Sequence, residues 1–432
     1  MFVLPKYLAK LHEATLHPPA SLPQDDDAVA AGIPLVLLDL EAYVADIRNH
    51  TTAYSYTEQR HTKIQVTFCL APPPRVSFLS VFCPGKDHTM FPMEPDILAM
   101  DENLVLLHAV VGPEDTIYKE RNLFIYQADG DKDGGTSLHR LPSPPGHQTH
   151  RVAALFVYNS KTEAWTVSLV SVDEQQKQQQ QQPGDRFLHF NSKVISIGGE
   201  AGTMGFVDLF RGILLCDVLT SDPKLRYIPL PKPIWSGNDL SCDARLHRDI
   251  AVVKDHIKYV ELQVRWKTDR DTGDEDRYHT DGWTARTFSI PVVTAGSVSA
   301  ASYDAEDWSK ECDIKSSDEI DVKDNPSFDI LPRPLDKQGR ALPPFKSVIV
   351  CQPTLSLGDH DNPVYFMVKD VPGDDKGWVI SICMKGKKLL GAAEFAAKRT
   401  DVATFTYVHS KISNYLIGAA GTYGDNILPV HL

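Results

Sequence analysis

Apolar residues in this chain come in short runs that alternate with polar ones every second position. Turn residues then break the run. RVSFLSVFC (Arg75–Cys83) is one such segment. DILAMDENLVLLHAVVG (Asp96–Gly112) is two, separated by Asp101-Glu102-Asn103. NLFIYQA, ALFVYNSKTEAWTVSLV, KVISIGG, DIAVVKDHIKYVELQV, PVYFMVKD, GWVISICMKGKKLLGAAEF and TFTYVHSKISNYL repeat the pattern. A period of two is the signature of strands with one face buried. No long segment has the 3.6-residue period of a helix, and a parallel α/β sheet would need a helix after nearly every strand. The block from Gly198 to Pro233 is the most regular. Its spacing predicts strands over Gly205–Phe210, Ile213–Leu219 and Leu225–Leu230. The turns are expected at Arg211-Gly212 and Thr220–Lys224, with Pro231 and Pro233 closing the block. Gly212 is expected to sit in a turn whose backbone resists a side chain.

Two phrases recur along the chain. One is a polar turn leading into an apolar strand, as in DENLVLLHA, FRGILLCDV, KDHIKYVEL and HSKISNYLI. The other ends a strand on an aromatic residue, turns, and reopens on Trp, as in VYNSKTEAW and, more loosely, YFMVKDVPGDDKGW. About 22 strand candidates at four per blade predict an all-β, single β-propeller-like domain of about six antiparallel blades. A pair of β-sandwiches is the alternative, since sandwiches alternate in the same way. Residues 1–34 read as a tail and 35–432 as the β-domain, with insertions at 173–186, 268–277 and 300–345. The first holds a glutamine tract, EQQKQQQQQ. The third includes Ala301–Asp324, where nine carboxylates face three lysines. Such stretches bury little apolar surface and are expected to be solvated loops that the fold can lose.

The chain has 432 residues and is 42% hydrophobic, enough for a large core. Its formal net charge of −13 disfavours nucleic acid, and the densest cationic cluster, Lys385, Lys387 and Lys388, reads as a solvated hairpin. The cysteines number seven, with no C-x-x-C pair, so neither a zinc ribbon nor a thioredoxin-type site is suggested. Cys216 and Cys383 lie inside apolar strands and read as small core residues. No apolar stretch approaches a membrane span, and the first residues lack the pattern of a secretory leader. A reducing cytoplasmic or nuclear setting is therefore expected. The formal sequon Asn49-His50-Thr51 is expected to go unused.

Candidate chemistry is sparse. Asp129, Asp131 and Asp133, with Gly134, match the first half of a calcium loop, but Arg140 stands where the closing Glu belongs. A solvated hairpin tip is the favoured reading, with no metal assigned. Gly199, Gly202 and Gly205 follow a strand but precede another strand, so no helix N-terminus is present to hold a phosphate. They read as glycine turns at a blade junction. His147, His150, His279 and Asp281 lie among turn residues and read as surface groups. No G-x-S-x-G elbow occurs. Of the tryptophans, Trp165 and Trp378 are expected to pack between blades. Trp235, in the loop PKPIWSGND, is the candidate exposed anchor. No catalytic residue and no cofactor are assigned.

VLLDLEAYVADIRNHTTA, PPPRVSFLSVFCPG, KVISIGG and GFVDLFRGILLCDVLTSDPKLRYIPLP, in that order, resemble the plant family catalogued as domain of unknown function 1618. The family is uncharacterised and expanded in grasses. The resemblance spans Leu35 to about Arg399 and is most specific in the last block. It implies a propeller-like β-fold related to the domains that follow plant F-boxes. The stretch 1–34 is too short for an F-box, so a ubiquitin-ligase adaptor role is not implied. The family carries no established activity, and no functional residue follows from it. Many loops on a rigid scaffold, without an assembled catalytic set, lead us to expect a non-enzymatic scaffold that binds a protein partner, with no nucleic acid and no membrane. An enzyme with a composite small-molecule site at the propeller's central channel is the alternative.

Overall fold

The computed structural model describes residues 11–19, 33–58, 61–113, 122–128, 135–142, 153–170, 189–234, 243–268, 278–292, 304–318, 320–323, 325–333, 339, 345, 348–358, 363–370, 376–396 and 406–416. Two compact units are present: residues 9–142 with 410–432, and residues 1–8 with 143–409. The fold is all-β and of the propeller class, and no helix among the described residues is long and apolar enough to cross a membrane.

In the unit containing residues 9–142, the strands are β1 (Val36–Asp39), β2 (Tyr43–Val44), β3 (Ala53–Tyr56), β4 (Lys63–Cys69), β5 (Val76–Phe82), β6 (Asp96–Asp101), β7 (Leu104–Ala109), β8 (Asn122–Gln127) and β9 (Ser137–Leu141). In the other they are β10 (Ala153–Asn159), β11 (Ala164–Val170), β12 (Lys193–Gly198), β13 (Thr203–Asp208), β14 (Gly212–Asp217), β15 (Leu225–Pro229), β16 (Arg248–Val253), β17 (His256–Thr268), β18 (Tyr278–Pro291), β19 (Ser309–Lys315), β20 (Ile349–Leu355), β21 (Val364–Lys369), β22 (Lys376–Cys383) and β23 (Lys388–Ala396). The division between the units falls inside β24 (Tyr407–Ser410). Strands β6–β9, β12–β15, β16–β19 and β20–β23 each form a four-stranded sheet in sequence order. A mixed sheet runs β24-β1-β5-β4-β3 with β2 beside β5, and β10-β11 is a two-stranded hairpin. Among the described residues, five blade-sized sheets thus stand against the six or so expected. Sequential meanders are what propeller blades require. A sandwich would exchange strands between two sheets, so the sandwich alternative falls.

The period-two pattern is visible in the burial. Along β8, buried and half-buried positions alternate, with Phe124 and Tyr126 fully inside. Strands β20 and β21 are buried on both faces, so they read as continuous apolar runs. One core cluster joins the sheet β12–β15 to the next through Ile213, Leu215, Ile250, Tyr259 and Trp308. Another joins β16–β19 to β20–β23 through Val260, Trp283, Ile314, Phe366 and Ile380. Asp249 on β16 adds a polar tie. Its carboxylate accepts from Lys193 Nζ at 2.7 Å and from the Leu355 amide at 2.9 Å, so three successive sheets meet on one side chain.

Two expectations are corrected here. Gly212 is not in the turn. It is the first residue of β14, opposite Pro229, and its backbone lies outside the left-handed region. The turn is Leu209–Arg211, closed by the Arg211 amide on the Asp208 carbonyl at 3.0 Å. Nor is the acidic segment a loop throughout. Ser309–Lys315 is β19, paired to β18, with Trp308 and Ile314 buried. The carboxylates on and just after it are matched by cations: Glu311 by Lys258 of β17 (3.1 Å), Asp313 by Lys310 of the same strand (2.9 Å) and Asp318, past its end, by Lys387 (2.8 Å). Composition hid this strand because Lys258 and Lys387 lie far away in sequence. The stretches 173–186 and 269–277 lie outside the described residues.

Within the expected tail, Glu13–Leu16 forms a 3-10 turn. The His12 amide donates to Glu94 at 2.7 Å, and Thr15 is fully buried.

Candidate interaction surface

The β13–β14 turn is built on Asp208. Val207 and Leu209 on either side are fully buried, which turns the intervening carboxylate toward the turn. One oxygen accepts the Phe210 amide at 2.9 Å, the side-chain-to-backbone bond that favours Asp at the head of a turn. The other accepts the Phe190 amide at 2.9 Å and Arg211 Nη1 at 3.0 Å. A carboxylate with no solvent exposure thereby has three donors, two neutral and one cationic, which offsets its desolvation.

Arg211 lies over the Phe190 ring, 5.6 Å from its centroid, within cation–π range. Phe190 is 56% exposed and the Arg211 side chain 32% exposed. A second such pair stands beside it. The Arg248 guanidinium lies 5.5 Å from the Phe210 ring and donates to the Leu209 carbonyl and to Glu261, both at 2.9 Å. Glu261 also accepts the Ile234 amide at 2.9 Å. The outcome is two arginines on two phenylalanines, with the counter-charges Asp208 and Glu261 buried beneath.

Two titratable groups nearby, Tyr227 and His189, are shifted toward their neutral forms. Burial pushes the Tyr227 phenol up to about 12, and the Asp208 charge adds to the shift. Burial also depresses the His189 imidazole, against the opposing pull of Asp208. The Nε2 of His189 lies 3.0 Å from the Phe206 carbonyl. Elsewhere, burial raises the thiols of Cys69, Cys83 and Cys351 to about 12, the direction that disarms a nucleophile. A shallow cleft of about 260 Å³ beside the β16–β17 turn is polar, but His256 in it is joined to Asp255 and Lys258 to Glu311. Among the described residues, no group of three His, Cys, Asp or Glu could hold a metal ion.

Trp235, the expected anchor, lies outside the described residues, as do Asp129, Asp131, Asp133, His147 and His150. Its neighbour Ile234 is tied through Glu261 and Arg248 to the surface just described. Arg140 is on β9 and pairs with Glu58 at 3.1 Å. Gly199 and Gly202 have positive φ, but they turn the β12–β13 hairpin inside one sheet, not a junction between blades. His279 and Asp281 sit on β18. Trp283, Trp308 and Trp378 are core residues, and Trp165 packs on Tyr158 with ring centroids 5.2 Å apart. Trp266, on the β17–β18 hairpin, is 45% exposed. Cys216 is buried as expected, whereas Cys383 at the end of β22 is half-exposed. In the sequon, Asn49 donates to the Phe68 carbonyl at 2.8 Å and Thr51 is buried.

Phe190 and Arg211 were not singled out as site residues in the sequence. The signal was present in VDLFRG, where an Asp at a turn head precedes an aromatic and an arginine. Residues 206–365 match the model of a family of unknown function, DUF1618. Over these residues the chain is similar to that family. The DUF1618 match contains Asp208, Arg211, Arg248 and Glu261, while Phe190 precedes it. No curated protein matches the chain.

Proposed function

We propose that this protein is a non-enzymatic interaction scaffold of the cytoplasm or nucleus, and that it engages a protein partner through the surface at the β13–β14 turn. One observation carries the reading. Phe190 is a large aromatic left mostly in solvent, stacked under an arginine whose own counter-ion is buried. Aromatic and arginine side chains dominate the binding energy of protein interfaces. The raised Tyr227 phenol and Cys351 thiol are poorly suited to act as bases or nucleophiles, so neither of these two groups supports the alternative of an enzyme with a composite site. The test compares tagged parent protein with Phe190→Ala in extracts of its own source. Recovery of the same partner by the parent, and its loss from a variant that melts at the parental temperature, supports the scaffold. Equal recovery by both, or no reproducible partner, overturns this surface.

A further inference from the structure

The surface also indicates what its partner presents. A guanidinium carries five N–H donors in one plane. Among the described residues Arg211 spends one of them, Nη1 on Asp208. Asp208 accepts from Phe190, Phe210 and Arg211, and Nη1 is the one guanidinium nitrogen within hydrogen-bond reach of it. The ring of Phe190 covers one face of the arginine. That leaves an outer edge with the remaining donors, on a side chain that is 32% exposed. Such an edge, held by a buried anion on one side and an aromatic face on another, is pre-organised for a planar two-oxygen acceptor.

Resting on the scaffold reading, we propose that the outer edge of Arg211 receives a carboxylate side chain of the partner. The partner segment is then an acidic peptide with an apolar residue beside the acid to cover Phe190. The net charge of −13 does not oppose this. At physiological ionic strength, charges more than about 8 Å away are largely screened, so the local pair decides. Arg248 and its counter-ion Glu261 form a second, more buried pair beside it.

The experiment uses the full chain and two fluorescein-labelled peptides, one of alternating Asp and Phe and one with every Asp replaced by Asn. Anisotropy is expected to show the Asp peptide binding about tenfold or more tightly than the Asn peptide, the scale of one charge-assisted bond. Arg211→Gln should bring the two peptides together. Arg211→Lys should keep only part of the difference, because an ammonium cannot offer the paired donors. Phe190→Ala, at an exposed position that folding does not need, should weaken both peptides and preserve their ratio. Equal binding of the two peptides, an unchanged ratio in Arg211→Gln, binding of neither peptide, or tighter binding of a DNA oligonucleotide would overturn the proposal. So would self-association of the parent that Arg211→Gln abolishes, since the occupant would then be a second copy. If a partner is captured through Phe190 while the peptide ratio is one, carboxylate recognition fails and the scaffold stands. Loss of partner capture with the ratio intact would remove the scaffold reading and leave a peptide site.

Discussion

Gly212 lies flat against Tyr227. A Cβ built on the glycine would meet the ring Cζ and hydroxyl of Tyr227 at 2.4 Å and the carbonyl oxygen of Ile228 at 2.5 Å. Real side chains never approach that closely, and one of the contacts is backbone. Gly212→Ala should therefore destabilise the fold by about 2–3 kcal/mol, the scale of overpacking in a filled core. Tyr227→Ala in the Gly212→Ala background should recover only part of the loss, because the Ile228 carbonyl remains. Thermal melts of the four proteins in the cycle measure this. Full recovery would show that the ring alone excludes the side chain.

The same glycine shows how much of the fold the sequence carried. Alternation in KVISIGG and GILLCDV was enough to place strands, and turn residues were enough to separate them. Both follow from local chemistry. Whether Gly212 was needed for its dihedrals or for the ring of Tyr227 was not legible, because the ring comes from the next strand, fifteen residues on. Strand β19 was hidden for the same reason. Glu311 on it is matched by Lys258, and Asp318 just past it by Lys387, both distant in sequence, so composition alone made it a loop. The interaction surface needed the fold as well. Phe190 and Arg211 are twenty-one residues apart and meet only because Asp208 binds both.

Acid should loosen the Phe190 segment. The His189 imidazole is depressed by burial, so its folded value lies below its unfolded value. The stability it contributes is complete above the ordinary imidazole range, near pH ~6.5. That contribution is lost as pH falls below this range toward the folded value. Hydrogen-exchange protection factors at the described residues 189–192 should fall as pH drops below about 6.5, and His189→Gln should remove this dependence. Protection factors that stay constant in the parent would show that His189 does not stabilise the segment.

Strand β19 should respond at lower pH. The carboxyls of Asp313 and Asp318 are depressed, first by their bonds to Lys310 and Lys387. Depressed carboxylates contribute above their unfolded value and lose that contribution as pH falls through the folded one, so the window lies below about pH 4. Both are open to solvent, so screening makes the effect modest. The apolar anchor is stronger. Trp308 is buried, donates Nε1 to the Pro229 carbonyl at 2.8 Å and lies 6.0 Å from the Tyr259 ring. Trp308→Ala should cost about 3–5 kcal/mol. Deletion of 304–318 should unfold the unit that contains it, whereas a dispensable loop would leave its melting temperature unchanged.

Asp249 makes the most demanding prediction, because one side chain serves three sheets. Its carboxylate is almost wholly buried and holds Lys193 of β12 and the amide of Leu355 on β20. Removing it leaves an amide without its acceptor inside the core and a lysine without its counter-charge. Lys193 can turn outward, since its side chain is partly exposed, so its share of the loss is limited. Asp249→Ala should then destabilise by about 2–4 kcal/mol, below the full cost of breaking a buried pair. Asp249→Asn should recover roughly half, because its amide oxygen can still accept from Leu355. Lys193→Met should be nearly neutral. If Lys193→Met proves as damaging as Asp249→Ala, the ion pair, and not the bond to Leu355, holds the sheets in register.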